Sequence, residues 1–326
     1  MKFIKFGWNG LCFEVPEEAR FIRFGGDAKE GSLTFESENF FMEQKWEPIS
    51  EKRRSISTIA TELVEKMEQK YKKKGKQSKT QSIKILEKSG TRVFLHDALF
   101  MVIKEQVDER FYFWYCDESK RVIIVRFVFK SYDETSKKII RKIIESFECH
   151  REGPNFWSIL NFSFKTPPEM FLTEAKIAIG RARITLAERK ATSFSEKISR
   201  LIIEYYSMAN IVFKDSYNNL DEWFRKNYEK DLCKQLKKAR IKFKIAEPRK
   251  LLMHDLVLKE ATRISGLISR ITTNYTNATW YCPDSNRIYA VTLASSVNKP
   301  IFLRRKISGT EHTEILETLF SSFRCH

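Results

Sequence analysis

The sequence predicts an α+β fold built twice in tandem, each copy an antiparallel sheet packed with two helices. Three observations predict it. "WYCDESKR" (Trp114–Arg121) returns as "WYCPDSNR" (Trp280–Arg287). "HDALFMVIKE" and "HDLVLKE" precede these octets, and "IIRKIIESFECH" and "EILETLFSSFRCH" follow them in the same order. Fainter matches come earlier: Phe13 with Phe164, Pro16 with Pro167, and Glu43 with Glu204. Matches in one order along both halves are the signature of an internal repeat. Gly153-Pro154 is a turn signal, so the division falls at residues 1–151 and 152–326.

The first copy opens on "FIKFGWNG", "LCFEV", "ARFIRFG" and "SLTFES", rich in Phe and β-branched residues and punctuated by Gly and Pro, which read as strands. In "SISTIATELVEKMEQKYKK", Ala60, Leu63, Val64, Met67 and Tyr71 recur at helical spacing, with Ser57 as the expected N-cap. The corresponding helix of the second copy starts near Asn219 and carries Leu220, Trp223, Phe224, Tyr228, Leu232 and Leu236. Strands resume with "IKILEKSG", "RVFLHDALFMVIKE", "ERFYFWYC" and "RVIIVRFVF", joined by hairpin turns. A closing helix presents Ile139, Ile140, Ile143, Ile144 and Phe147. Its counterpart presents Ile315, Leu316, Leu319, Phe320 and Phe323. Such a stripe lies on a sheet.

This order of elements, with a "FxxP" strand first and a helix ending in "SF" last, resembles the Mog1/PsbP/DcrB-like fold taken twice. The resemblance implies a binding or accessory module rather than an enzyme. Another duplicated α+β fold, such as the saddle of TATA-binding protein, is the alternative architecture.

The chain has only five histidines and six cysteines, and most fall in matching places: His96 with His254, Cys116 with Cys282, Cys149 with Cys325, His150 with His326. His96 and Cys116 lie on two arms of one hairpin that turns near Val107. The next strand leads away for roughly 30 Å at about 3.3 Å per residue. The last helix leads back over roughly 20–25 Å at 1.5 Å per residue, returning Cys149 and His150 to the same end. The second copy repeats the construction, turning near Ser265-Gly266.

Three readings stay open. Two thiolates and two imidazoles form a closed zinc set, one per copy, although the spacing is not a CxxC knuckle. Disulfides Cys116–Cys149 and Cys282–Cys325 would instead staple each last helix to its sheet. Abundant Lys, Glu and Ile beside scarce Gln fit a heat-adapted origin, where intracellular disulfides are common. The third reading is plain core packing, which is also the reading of Cys12 and Cys233. A Cys–His–Asp thiol enzyme, using Asp97 with His96 and Cys116 or Asp255 with His254 and Cys282, would need an oxyanion pocket, and no Gly-rich loop or elbow supplies one. P-loop, GxGxxG and HExxH motifs are absent.

Trp114 and Trp280 are expected in the core, and Ser119 and Ser285 in turns. Arg121 and Arg287 are expected to pair with Asp97 and Asp255 or to meet phosphate.

A net charge of +17 favours anionic partners, nucleic acid first and an acidic protein second. Two basic runs follow the first helix of each copy. Lys72, Lys73, Lys74 and Lys76 mark one; Lys237, Lys238, Arg240, Lys242 and Lys244 mark the other. Arg304 and Arg305 add a third cluster. Tyr71 and Phe243 lie among the lysines and would stack on bases or pack. The expected function is therefore a non-enzymatic basic binding protein, with a protein-interaction or scaffold module as the alternative. No apolar run is long enough to span a bilayer, and the first twenty residues lack a signal-like apolar core, which points to the cytoplasm.

Overall fold

The structure is a computed structural model that describes residues 1–50, 52–74, 83–104, 107–159, 161–211, 219–236, 241–246, 249–251, 254–266, 269–300 and 310–325. It divides into two compact units, Met1–Glu152 with Phe156–Leu160, and Gly153–Asn155 with Asn161–His326.

In the first unit, β1 (Phe3–Trp8) and β2 (Leu11–Pro16) form a hairpin. It turns through Asn9 and Gly10, both at positive φ, which Asn and Gly tolerate best. A seven-stranded antiparallel sheet follows. Its strands are β3 (Arg20–Gly26), β4 (Gly31–Glu36), β5 (Phe40–Pro48), β6 (Lys84–Val93), β7 (His96–Lys104), β8 (Asp108–Cys116) and β9 (Arg121–Phe129). Their order is β3-β4-β5-β9-β8-β7-β6. Helix α1 (Ile56–Lys74) buries Ala60 and Val64 against Met101, Ile103, Phe111 and Phe113. Its first turn is capped by Ser55, whose hydroxyl accepts the Thr58 N–H at 3.0 Å, and not by the expected Ser57. Helix α2 (Glu134–Glu145) is capped by Asp133 and buries Ile139, Ile140, Ile143 and Ile144.

β10 (Asn155–Ile159) and β11 (Phe162–Thr166) precede the sheet of the second unit. That sheet comprises β12 (Phe171–Ala178), β13 (Arg181–Thr192), β14 (Ser195–Ser207), β15 (Lys244–Ile245), β17 (His254–Ser265), β18 (Ser269–Cys282) and β19 (Arg287–Pro300), with β16 (Arg249–Leu251) paired to β17 off the main path. Its order is β12-β13-β14-β19-β18-β17-β15, which matches the first sheet position for position. The helix expected near Asn219 does start there, the Asn219 side chain accepting the Glu222 N–H at 2.9 Å. It runs as α3 (Leu220–Trp223), a π-helical turn (Phe224–Tyr228) and α4 (Glu229–Gln235). Helix α5 (Thr310–Ser322) closes the unit.

The expected α+β class, a sheet packed with two helices per copy, is overturned. The chain is mostly antiparallel β-sheet, 57% strand against 20% helix, in several sheets with few helices. The excess of strand lies in long arms such as β14, β18 and β19, at 13 to 14 residues each. Their Ile, Val, Thr and Tyr content suits a pleated surface. The helix that starts at Leu220 in the second unit is broken by the π turn into short pieces. Among the described residues, no helix is long and apolar enough to cross a membrane.

One aromatic keystone recurs. In the first unit Phe147 stacks on Phe13 at 5.1 Å and meets the Trp114 edge at 5.0 Å. In the second, Phe323 stacks on Phe164 at 6.1 Å and meets the Trp280 edge at 4.9 Å. All six rings are fully buried, so each keystone ties the hairpin corner, an early strand and the segment after the last helix into one packed block.

Candidate metal centre

Three pieces of backbone converge at one corner of the first unit. The β7–β8 ladder sets Ala98 opposite Trp114, and the same register carried two residues on brings His96 level with Cys116. The turn from β8 to β9 sets Cys116 opposite Arg121, with Lys120 at positive φ completing the bend. After α2 the chain bridges back to β2: Cys12 N–H donates to the Glu148 carbonyl at 2.9 Å, and Glu148 N–H to the Cys12 carbonyl at 2.7 Å. That bridge delivers Cys149 and His150.

The ligand atoms of His96, Cys116, Cys149 and His150 all lie within 4.8 Å of one another. Cys116 Sγ is 3.3 Å from His150 Nδ1, and Cys149 Sγ is 3.7 Å from the same nitrogen. A tetrahedral zinc with bonds of about 2.0–2.3 Å holds its ligand atoms about 3.3–3.8 Å apart, so these separations match the edges of such a site. His96 Nε2 is buried without a hydrogen-bond partner, a costly state that a metal bond would relieve.

The surroundings favour one ionised thiol. The Cys149 thiol hydrogen-bonds to Cys116, and the Ser119 backbone N–H donates to Cys116 Sγ at 3.3 Å; together with His150 they bring Cys116 down to about 5. Cys149, the donor in that pair and itself buried, is pushed up. Arg121 lies beside them, with Nη1 donating to the Asn9 carbonyl at 2.9 Å and Nη2 to the Cys149 carbonyl at 3.3 Å. Burial lowers its affinity for a proton, and the neighbouring sulfurs oppose that.

The second unit repeats the plan. The β17–β18 register that sets Val257 opposite Thr279 brings His254 level with Cys282, and Cys282 lies opposite Arg287. Ser163 and Arg324 bridge β11 to the segment after α5 through bonds of 2.9 and 2.8 Å, which delivers Cys325. Cys325 Sγ is 3.4 Å from His254 Nε2, and His254, Cys282 and Cys325 form a second cluster within 4.8 Å. Burial and the adjacent Cys282 push Cys325 up to about 12. His326, the expected fourth member, lies outside the described residues. Both clusters can hold a metal ion.

Several expectations need correction. Arg121 does not pair with Asp97, which instead faces Arg92 at 3.8 Å from a fully exposed position. Asp255 faces Lys250 at 3.8 Å, and Arg287 stacks over the Tyr205 ring at 4.2 Å. Neither aspartate orients a histidine, so the Cys–His–Asp arrangement does not assemble. All six cysteines are buried, and among the described residues no disulfide joins Cys116 to Cys149 or Cys282 to Cys325. Cys12 supplies the bridge to Glu148 through its backbone. Cys233 packs in the cluster around Tyr228.

Sequence reasoning missed Glu118, whose carboxylate lies 3.6 Å from Cys116 Sγ and 3.7 Å from His150 Nδ1. The signal was available: "CDES" and "CPDS" both carry an acid two residues after the cysteine, Glu118 and Asp284.

Lys76, Lys237, Lys238, Arg240, Arg304 and Arg305 lie outside the described residues, and for Lys72, Lys73 and Lys74 only the helical backbone is described. Lys242 and Lys244 are exposed. Phe243 between them is not a free stacking platform: it packs edge-on against Phe224 at 5.6 Å in the core cluster of the second unit. No protein-family model matches the chain, and no curated protein matches it at a significant level.

Proposed function

We propose that this is a non-enzymatic binding protein whose two units are each pinned at one corner by a zinc ion. The observation that carries the reading is the convergence of His96, Cys116, Cys149 and His150 from three separate segments onto one point. Two thiolates with two imidazoles suit zinc by softness and by coordination number. Charge supports it as well. A divalent ion with two thiolates and two neutral imidazoles is neutral, and Glu118 then offsets the buried Arg121. Elemental analysis of protein purified under reductant is expected to give two zinc ions per chain. No metal, with six titratable thiols, would overturn it.

A second reading concerns the partner and rests on the net charge of +17. The surface carrying Lys242 and Lys244 would meet a polyanion, nucleic acid first. Binding to DNA or RNA is expected to weaken steeply with salt. Each phosphate contact adds about 0.7–0.9 to the slope of log K against log salt, so Lys242→Glu with Lys244→Glu is expected to lower that slope by about 1.4–1.8. Undetectable binding at low salt, with recovery of an acidic protein that survives nuclease treatment, would favour the protein-interaction alternative.

A further inference from the structure

We propose that Cys116 and Cys149 form an oxidant-operated latch: a hydroperoxide joins the two sulfurs as a disulfide and discharges the metal, without unfolding the unit. The inference rests on the zinc reading above and adds its regulation. Zinc and disulfide, which the sequence left as rival readings, become two oxidation states of one centre.

The geometry that supports it is independent of the metal. Cys149 is held beside Cys116 by two anchors that remain when the ion leaves. Its carbonyl accepts Arg121 Nη2, and Arg121 is the ladder partner of Cys116. The preceding residue, Glu148, is bridged to Cys12 by two backbone hydrogen bonds. A metal site held only by its metal would spring open on discharge; this one keeps its sulfurs within reach of each other. Both residues are fully buried, but the corner is rimmed by Glu118, whose side chain is 56% exposed, and by His150 at 22%. Cys116 Sγ touches both rim groups, which places it directly beneath the partly exposed edge of the corner.

The chemistry balances. One thiolate attacks the peroxide, breaking the O–O bond, and becomes a sulfenic acid as hydroxide leaves. The second thiolate attacks that sulfur, forms the S–S bond and expels a second hydroxide. Two solvent protons convert both hydroxides to water. The sulfurs lose two electrons and the peroxide gains them; zinc, which has no redox chemistry, leaves unchanged. His96 and His150 alone make a poor zinc site.

The test uses the full reduced chain loaded with zinc and treated with hydrogen peroxide. Released zinc is read with a colour-forming chelator, linkage by peptide mass mapping without reductant, and fold by far-ultraviolet circular dichroism. The expected result is one zinc released for each Cys116–Cys149 link, an unchanged spectrum, and recovery of zinc binding after reduction. Cys149→Ala is expected to form no link and to leave a sulfenic acid on Cys116 that dimedone traps. Zinc retained under excess peroxide, zinc lost with unlinked sulfonic acids, or a collapsed spectrum would each overturn the latch. If the reduced chain holds no zinc at the outset, the zinc reading fails by itself. Peroxide treatment of that metal-free chain then tests the disulfide by itself: a Cys116–Cys149 link supports the sulfur pairing, and its absence overturns it.

Discussion

Cys149→Ala is expected to carry one zinc ion in place of two and to destabilise the first unit by about 4 kcal/mol, the linkage energy of a ligand present at about a thousand times its dissociation constant. For a unit of this size each kcal/mol moves the melting temperature by roughly 2–4 °C, so calorimetry should find the first transition about 8–16 °C lower. The magnitude follows from the closed character of the centre. Removing one of four ligands leaves a site that retains zinc poorly, and the chain loses the binding energy that metal contributes to folding. The decisive control is a chelator. Stripped of metal, wild type and variant should differ by only about 1 kcal/mol, the small packing loss of the thiol. An equally large gap in chelator would mean that the residue acts through packing alone, and the zinc reading would fail.

Phe147→Ala is expected to cost the first unit about 3–5 kcal/mol, the range for deleting a fully buried aromatic ring. Urea unfolding reads this as a lower midpoint at unchanged slope. The ring is 0% exposed, stacks on Phe13 and receives the edge of Trp114, so its loss empties the block that joins the hairpin corner to the early strand. A second effect separates this site from an ordinary core position. Phe147 precedes the Glu148 bridge, and loosening it loosens the delivery of Cys149 and His150. Chelator competition should therefore show weaker zinc at the first centre and no change at the second. Phe323→Ala is expected to reverse the pattern, because Phe323 holds the same place before Arg324 and Cys325. Loss of stability without any change in metal competition would uncouple the keystone from the centre.

The centre was legible because it is made of rare residues set by simple geometry. Histidine and cysteine are scarce in the chain, and a hairpin turning midway between His96 and Cys116 must bring them level. The balance of strand and helix was much less legible. The run "LDEWFRKNYEKDLCKQ" shows an unbroken helical stripe, yet its hydrogen bonding slips to a π turn at Phe224–Tyr228, a local choice that apolar spacing does not encode. Glu43 and Glu204 align the two halves, yet a single matched acid does not reveal that each lies in a middle strand, β5 or β14. Arg121 misled for a different reason. An arginine near an aspartate suggests an ion pair, whereas burial demanded carbonyl acceptors, and Asn9 and Cys149 lie far away in sequence. Glu118 escaped because exposed acids in turns are common and only its placement beside Sγ distinguishes it.

The bridge between residues 12 and 148 also sets the order of events during synthesis. Cys116 and His96 can meet as soon as their hairpin has left the ribosome, since they are neighbours along a local ladder. Cys149 joins them only after pairing across more than a hundred residues, a long-range closure that is slow to form. The same holds for Cys325, which waits on Arg324 reaching Ser163. If an ion binds, its uptake would follow this closure in each unit, because Cys149 and Cys325 are the last members of their clusters to arrive. A nascent chain that stops before residue 149 would display the hairpin corner with only His96 and Cys116 of the four clustered side chains.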